Sequence, residues 1–300
     1  MNLDFVKVVM SRNAKTGVLS VYPEFLVGQP KDLMVRGHAF YAVWDEDKGF
    51  WVRDEAAVQK MIDAELWNKA KEAKDGETVS VLLLEHYSSK KWSEWQSYVH
   101  SLPDNYVELD EKIVFSNMEV KKEDYVSTQL DYPLAEGSIN AYNEIISTLY
   151  DPDERQKLEW AIGAIISGDS KTIQKFIVLY GDSGTGKSTI LNIIQMLFKG
   201  YFSVFEAKAL AGNSNAFALE AFKSNPLVAI QHDGDLSRIE DNTKLNSIVS
   251  HEPMMMNEKF KSAYQMHFNA FLFMGTNKPV KITDAKSGII RRLIDVSPSG

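Results

Sequence analysis

The 300-residue chain is 44% hydrophobic and 25% charged, with a net charge of −8 and no cysteine. That composition excludes collagenous, coiled-coil and disordered classes, and with them disulfides, thiolate metal sites and cysteine nucleophiles. No run of about 18 apolar residues offers a membrane span and no apolar stretch near the start offers a signal peptide, so a cytoplasmic protein is expected, in the host cytoplasm if the chain is viral. The first element to read clearly is a β-hairpin, with Phe40–Trp44 and Phe50–Arg53 flanking the turn residues Asp45–Gly49. Asp45 and Asp47 have the spacing of a two-metal carboxylate pair, but Asp, Lys and Gly at a hairpin tip are ordinary turn chemistry. Asp54 then caps a helix predicted to run to about Lys74, with Val58, Met61, Ile62, Ala64 and Leu66 as its apolar positions. A second amphipathic helix is predicted over Ser89–Leu102, and Lys112–Phe115 reads as a strand. These elements make a small α+β unit with no catalytic signature.

Pro133-Leu-Ala-Glu-Gly-Ser138 has the composition of a linker ending in a helix cap. It predicts an N-terminal domain over 1–136 and a second domain over 137–300, with a helical lead-in across 138–170. Helices are expected at Ile139–Tyr150 and Asp153–Ile166, the latter opened by Pro152 and two acids. Three unbroken apolar runs follow, at Phe176–Tyr180, Pro226–Ile230 and Ala270–Met274. Unbroken runs separated by helical patterns mean strands buried on both faces, hence an α/β domain with a parallel sheet.

The chemistry gathers at the ends of those runs. After the first stands Gly181-Asp182-Ser183-Gly184-Thr185-Gly186-Lys187-Ser188-Thr189, a G-x-x-x-x-G-K-[ST] phosphate-binding loop between a strand and a helix. Its backbone N–H groups would cradle phosphates, Lys187 would reach the β- and γ-phosphates, and the Ser188 hydroxyl would ligate Mg²⁺. ATP and Mg²⁺ are therefore the expected ligands. The second run ends in His232-Asp233-Gly234-Asp235. Asp233 is the first choice for the carboxylate that holds the Mg²⁺ shell and orients water, with Asp235 in reserve; Asp-Gly-Asp is also turn chemistry. The third run ends in Thr276-Asn277-Lys278-Pro279, where Asn277 can sense the γ-phosphate or form a turn. Arg291 and Arg292 follow, either a surface pair or the source of an arginine finger. From Asn257 to Gly300 there are seven basic residues and three acidic ones, a basic strip on an acidic chain that can hold a phosphate backbone, although on charge alone a solvated surface is the favoured reading.

The motifs GDSGTGKST, VAIQHD, EPMMMNEKF, FLFMGTNKP and GIIRRL, in this order over Ser138–Asp295, resemble the superfamily 3 helicases, within them the phage and poxvirus-type primase-helicases. The resemblance implies an AAA+-like core that forms a hexameric ring, hydrolyses ATP between subunits and moves along single-stranded or forked DNA, with a separate primase or polymerase as a further partner. It makes Asp233 the Walker B acid, Asn277 the sensor, and Arg291 or Arg292 the finger acting on a neighbour's ATP. It places Met254–Lys261 in a pore-facing hairpin with Lys259 and Lys261 as DNA contacts; on residues alone these two are solvating charges of an exposed hairpin. The chain departs from the family in carrying His232-Asp233 where paired acids are usual. Family members also continue into further structure, often a winged helix. Two other readings remain: an ATP-gated DNA-binding module without efficient hydrolysis, and a small-molecule kinase, which predicts arginines soon after the loop although Tyr201–Gly234 contains none.

Overall fold

The computed structural model describes residues 3–85, 89–210, 218–235, 242–257, 262–280 and 288–299. The chain forms two compact units, the first taking in the chain up to Val107 together with Val120–Ser127, the second Glu108–Glu119 and most of the chain from Thr128 onward.

In the first unit, β1 (Val6–Arg12) pairs antiparallel with β2 (Leu19–Phe25), while β3 (Leu33–Arg36), β4 (Ala39–Asp45) and β5 (Phe50–Val52) form a second antiparallel sheet. The turn between β4 and β5 is closed by Asp45, whose carboxylate accepts from the backbone N–H groups of Asp47 and Lys48. That carboxylate is committed to turn chemistry, as the hairpin reading of the sequence requires. Helix α1 (Glu55–Ala70) starts where Asp54 accepts from the Ala56 N–H and buries Val58, Ile62 and Leu66. Strand β6 (Val79–Val81) adds parallel to β2. Helix α2 (Lys90–Ser101), capped by Ser89, turns Trp92, Trp95 and Val99 into the same core as Phe5, Val21 and Leu33.

The second unit opens with α3 (Asn140–Leu149) and α4 (Pro152–Ser167), then β7 (Phe176–Tyr180), α5 (Lys187–Leu197), β8 (Phe202–Val204), α6 (Ala207–Leu210) and β9 (Val228–Gln231). Helix α7 (Thr243–Val249) leads into the antiparallel hairpin β10 (Pro253–Met256) and β11 (Tyr264–His267); β12 (Phe271–Thr276) and β13 (Leu293–Val296) follow. Five strands make one parallel sheet in the order β13-β7-β12-β9-β8. The pleat explains the unbroken apolar runs. Ile177, Leu179, Phe271 and Phe273 pack on the side of α4 and α5, whereas Val178, Leu272 and Met274 pack on the side of α7 and the β10–β11 hairpin. Both faces are covered, so the central strands run apolar at successive positions until the polar residues at their carboxyl ends, Gln231 and Thr276.

Two expectations change. Lys112–Phe115 forms no strand: it is an irregular segment whose Ile113 and Phe115 bury into the α4–α5 side of the parallel sheet, with the Val114 N–H donating to the Tyr201 hydroxyl at 3.0 Å. The domain boundary expected at residue 136 lies earlier for the same reason. Leu130 joins that core, the Tyr201 hydroxyl donates to the Thr128 carbonyl at 2.8 Å, and Leu130 N–H donates to Val114 at 2.8 Å. Apolar burial outweighs the linker-like composition of 133–138 in deciding where the unit begins.

A candidate active site at the carboxyl ends of the parallel strands

Strand β7 ends at Tyr180, and residues 181–186 form the loop that leads straight into α5. Gly186 has φ +86°, and a Cβ there would come within 2.5 Å of Leu149 Cδ2 on α3, so glycine alone fits both the backbone and the packing. The Thr185 hydroxyl donates to the Asp182 carbonyl at 2.8 Å and rounds the loop. Lys187 is nearly buried, and its ammonium donates to the Gly181 and Asp182 carbonyls, each at 2.7 Å. Ser188 and Thr189 are exposed in the first turn of α5, where backbone N–H groups have no partner within the helix.

The neighbouring strand ends are laced to this loop. The Gly181 N–H donates to the Thr276 carbonyl at 3.3 Å and the Gly234 N–H to the Gly275 carbonyl at 2.9 Å. Gly275 permits the second contact, because a Cβ would sit 2.3 Å from the His232 carbonyl oxygen. A cleft of ≈ 230 Å³ opens between the three strand ends, lined by Ser183, Gly184, Gly186–Thr189, His232, Asp233 and Asn277. Residues up to 94 positions apart in sequence, Ser183 and Asn277, thus share one small concavity.

Within it the two aspartates part company. Asp233 is exposed and faces the cleft, whereas Asp235 is held by Lys278 at 2.9 Å and Lys208 at 3.8 Å and does not line it. His232 stands beside Asp233, with Nε2 3.0 Å from the Gln195 amide oxygen on α5. Thr276 is fully buried and its hydroxyl binds the backbone of Lys278, which turns the chain so that Asn277 emerges at the strand tip.

Arg291 and Arg292 are elsewhere. Leu293 pairs with Phe176, so the arginines precede a strand parallel to β7 and lie at its amino end. Six residues of extended chain separate Lys175 from Gly181, on the order of 20 Å. Neither arginine reaches the cleft of its own chain. Arg292 is nearly buried and donates to the Gly288 carbonyl at 3.1 Å and the Gln174 amide oxygen at 3.3 Å; burial and the adjacent Arg291 charge push its pKa down. Arg291 is exposed, while its carbonyl accepts from Lys175. Lys259 and Lys261 lie outside the described residues. Sequence reading did not find Gln195, Gln174 or Leu149, whose roles arise from contacts between distant segments rather than from any local pattern.

Among the described residues no three His, Asp or Glu side chains gather as a metal site of their own, and no helix is long and apolar enough to cross a membrane. The donor set fits Mg²⁺, which takes one or two protein oxygens and completes its shell from phosphates and water.

A family model described as a family of unknown function, DUF5906, matches residues 179–292. No curated protein matches. Among solved structures, the A form apo structure of the NrS-1 C-terminal region is similar with a TM-score of 0.50 at 12% identity, over 85% of this chain and 55% of that one. The apo structure of NrS-1 C-terminal region (305–718) gives a TM-score of 0.48 at 12% identity, covering 86% and 56%. The chain therefore spans a little over half the length of the structures it matches, and the likeness is one of fold.

Proposed function

We propose that the chain is an ATP-hydrolysing motor of the superfamily 3 helicase type, acting on DNA in phage-type replication. The observation that carries this reading is the meeting of the phosphate loop, Asp233 and Asn277 around one cleft at the carboxyl ends of parallel strands. A phosphate entering the loop would draw Lys187 away from the Gly181 and Asp182 carbonyls, while the N–H groups at the start of α5 meet the phosphate oxygens. Ser188 and Asp233 would hold Mg²⁺, which when bound neutralises charge on the phosphates. Asn277 would orient the attacking water from the adjacent strand tip.

The place of Arg291 at the opposite end of the sheet supports a finger that serves a neighbouring subunit, and hence a ring. The buried, hydrogen-bonded Arg292 is the residue that holds that segment in place. The strand order, with β7 second from the edge beside β12, agrees with the AAA+-like core that the motif order implies. DNA would be gripped by phosphate contacts rather than base edges, through Lys259 and Lys261.

ATP turnover and displacement of a labelled strand, each measured with and without single-stranded DNA, test the reading. It predicts turnover that rises with DNA together with displacement of the strand. Turnover indifferent to DNA would contradict it. The histidine in place of a second acid at 232 favours one other reading, an ATP-gated DNA-binding module, which predicts nucleotide-dependent DNA binding without turnover.

A further inference from the structure

His232 lines the phosphate cleft together with Ser188 and Asp233 but has no part in the chemistry proposed there. Its Nε2 lies 3.0 Å from the Gln195 amide oxygen, which can only accept, so Nε2 carries the proton. In the uncharged ring Nδ1 then holds the lone pair, and this nitrogen bonds to nothing among the described residues.

The ring is fixed from two sides. The Gly234 N–H donates to the Gly275 carbonyl at 2.9 Å, which pins the backbone just beyond His232 to the end of β12. Gln195 follows Ser188 on α5 by seven residues, two turns on and so along the same stripe of the helix. Helix side chains lean toward the amino end, which fits the sharing of one cleft by His232 and Ser188.

An imidazole that gives one N–H to an oxygen acceptor and leaves its other nitrogen bare has the arrangement of a metal ligand. The Asp233 carboxylate beside it is exposed and makes no ion pair among the described residues. The cleft thus offers oxygens from Ser188 and Asp233 and one nitrogen from His232. Mg²⁺ takes oxygen ligands, whereas ions of the first transition row also take imidazole.

We infer that His232 is a metal ligand of this cleft through Nδ1, so that the cleft holds nucleotide with Mn²⁺ in preference to Mg²⁺. Gln195 is the positioning residue that sets the tautomer. The inference rests on the nucleotide reading of the cleft and concerns the identity of its ion.

ADP binding to the full chain, titrated with Mn²⁺ and again with Mg²⁺, measures the preference. Pulsed electron paramagnetic resonance of the bound Mn²⁺ reads its ligands. The unaltered chain should bind ADP about tenfold tighter with Mn²⁺ and show nitrogen modulation from imidazole. His232→Asp, which puts oxygen in place of nitrogen, should bind ADP without the nitrogen signal or the preference. Gln195→Leu should weaken binding with Mn²⁺ about tenfold and leave binding with Mg²⁺ within about twofold. Gln195→Glu, which keeps an acceptor for Nε2–H, should restore the Mn²⁺ affinity. A nitrogen signal unchanged in His232→Asp, or none in the unaltered chain with ADP and Mn²⁺ bound, overturns the inference and leaves the nucleotide reading standing. ADP that binds with neither ion contradicts both.

Discussion

The ammonium of Lys187 lies between two carbonyl oxygens at 2.7 Å, so the closed loop satisfies a charge that is almost out of water. Replacing it with alanine removes the charge without opening the fold, and ATP binding should fall at least ~100-fold by equilibrium titration, since one charge-assisted contact to a phosphate is worth ~3 kcal/mol or more. Gly186 is the more fragile position for folding. Gly186→Ala combines a positive φ with a clash against Leu149, so the urea midpoint should report a loss of ~1–3 kcal/mol. The arginines separate in the opposite sense. Arg292→Ala strips a buried guanidinium from Gly288 and Gln174 and should cost ~1–3 kcal/mol of stability. Arg291→Ala should leave the melting temperature within about 2 °C, as expected for an exposed side chain, yet lower turnover on the order of 10³-fold. Equal effects of the two substitutions on both readouts would contradict this division.

At the scale of elements, the central strands β7, β9 and β12 were legible because sheets covered on both faces need unbroken apolar runs. The edge strand β13 was not: Leu-Ile-Asp-Val is interrupted by the exposed Asp295, which an edge tolerates and a central strand does not. Strands β1 and β2 escaped notice as well, since their alternation is diluted by polar and charged positions on the outer face. Lys112–Phe115 misled in the other direction. Three apolar residues in a row signal burial, and burial is what they have, but as an irregular strap pinned by Tyr201 rather than as a strand. The strap predicts its own test. A fragment beginning at Glu108 should melt higher than one beginning at Gly137, because the shorter one exposes the surface that Ile113, Phe115 and Leu130 cover, at ~1.5–3 kcal/mol per side chain. Equal melting temperatures would mean that the segment packs without stabilising.

Over the whole molecule, motif order was the strongest signal in the sequence. Loop, acid and asparagine each stand at the end of a recognisable apolar run, with the arginine pair following in sequence, and parallel topology then brings the first three together. What spacing could not decide was rank among equals. Asp233 and Asp235 are two residues apart, and only the lysines around Asp235 set it aside. Arg291 and Arg292 are adjacent, and only burial tells them apart. These distinctions depend on contacts made by Lys208, Gln174 and Lys278, residues that no motif contains.

The most direct measurement is steady-state ATP hydrolysis with Mg²⁺ by the unaltered chain, Lys187→Ala, Asp233→Asn and Asp235→Asn. Turnover in the unaltered chain and Asp235→Asn, with loss of at least ~100-fold in the other two, is the predicted pattern. Hydrolysis by Lys187→Ala at the rate of the unaltered chain, or dependence on Asp235 rather than Asp233, would contradict the assignment of this cleft as the place where ATP is cleaved.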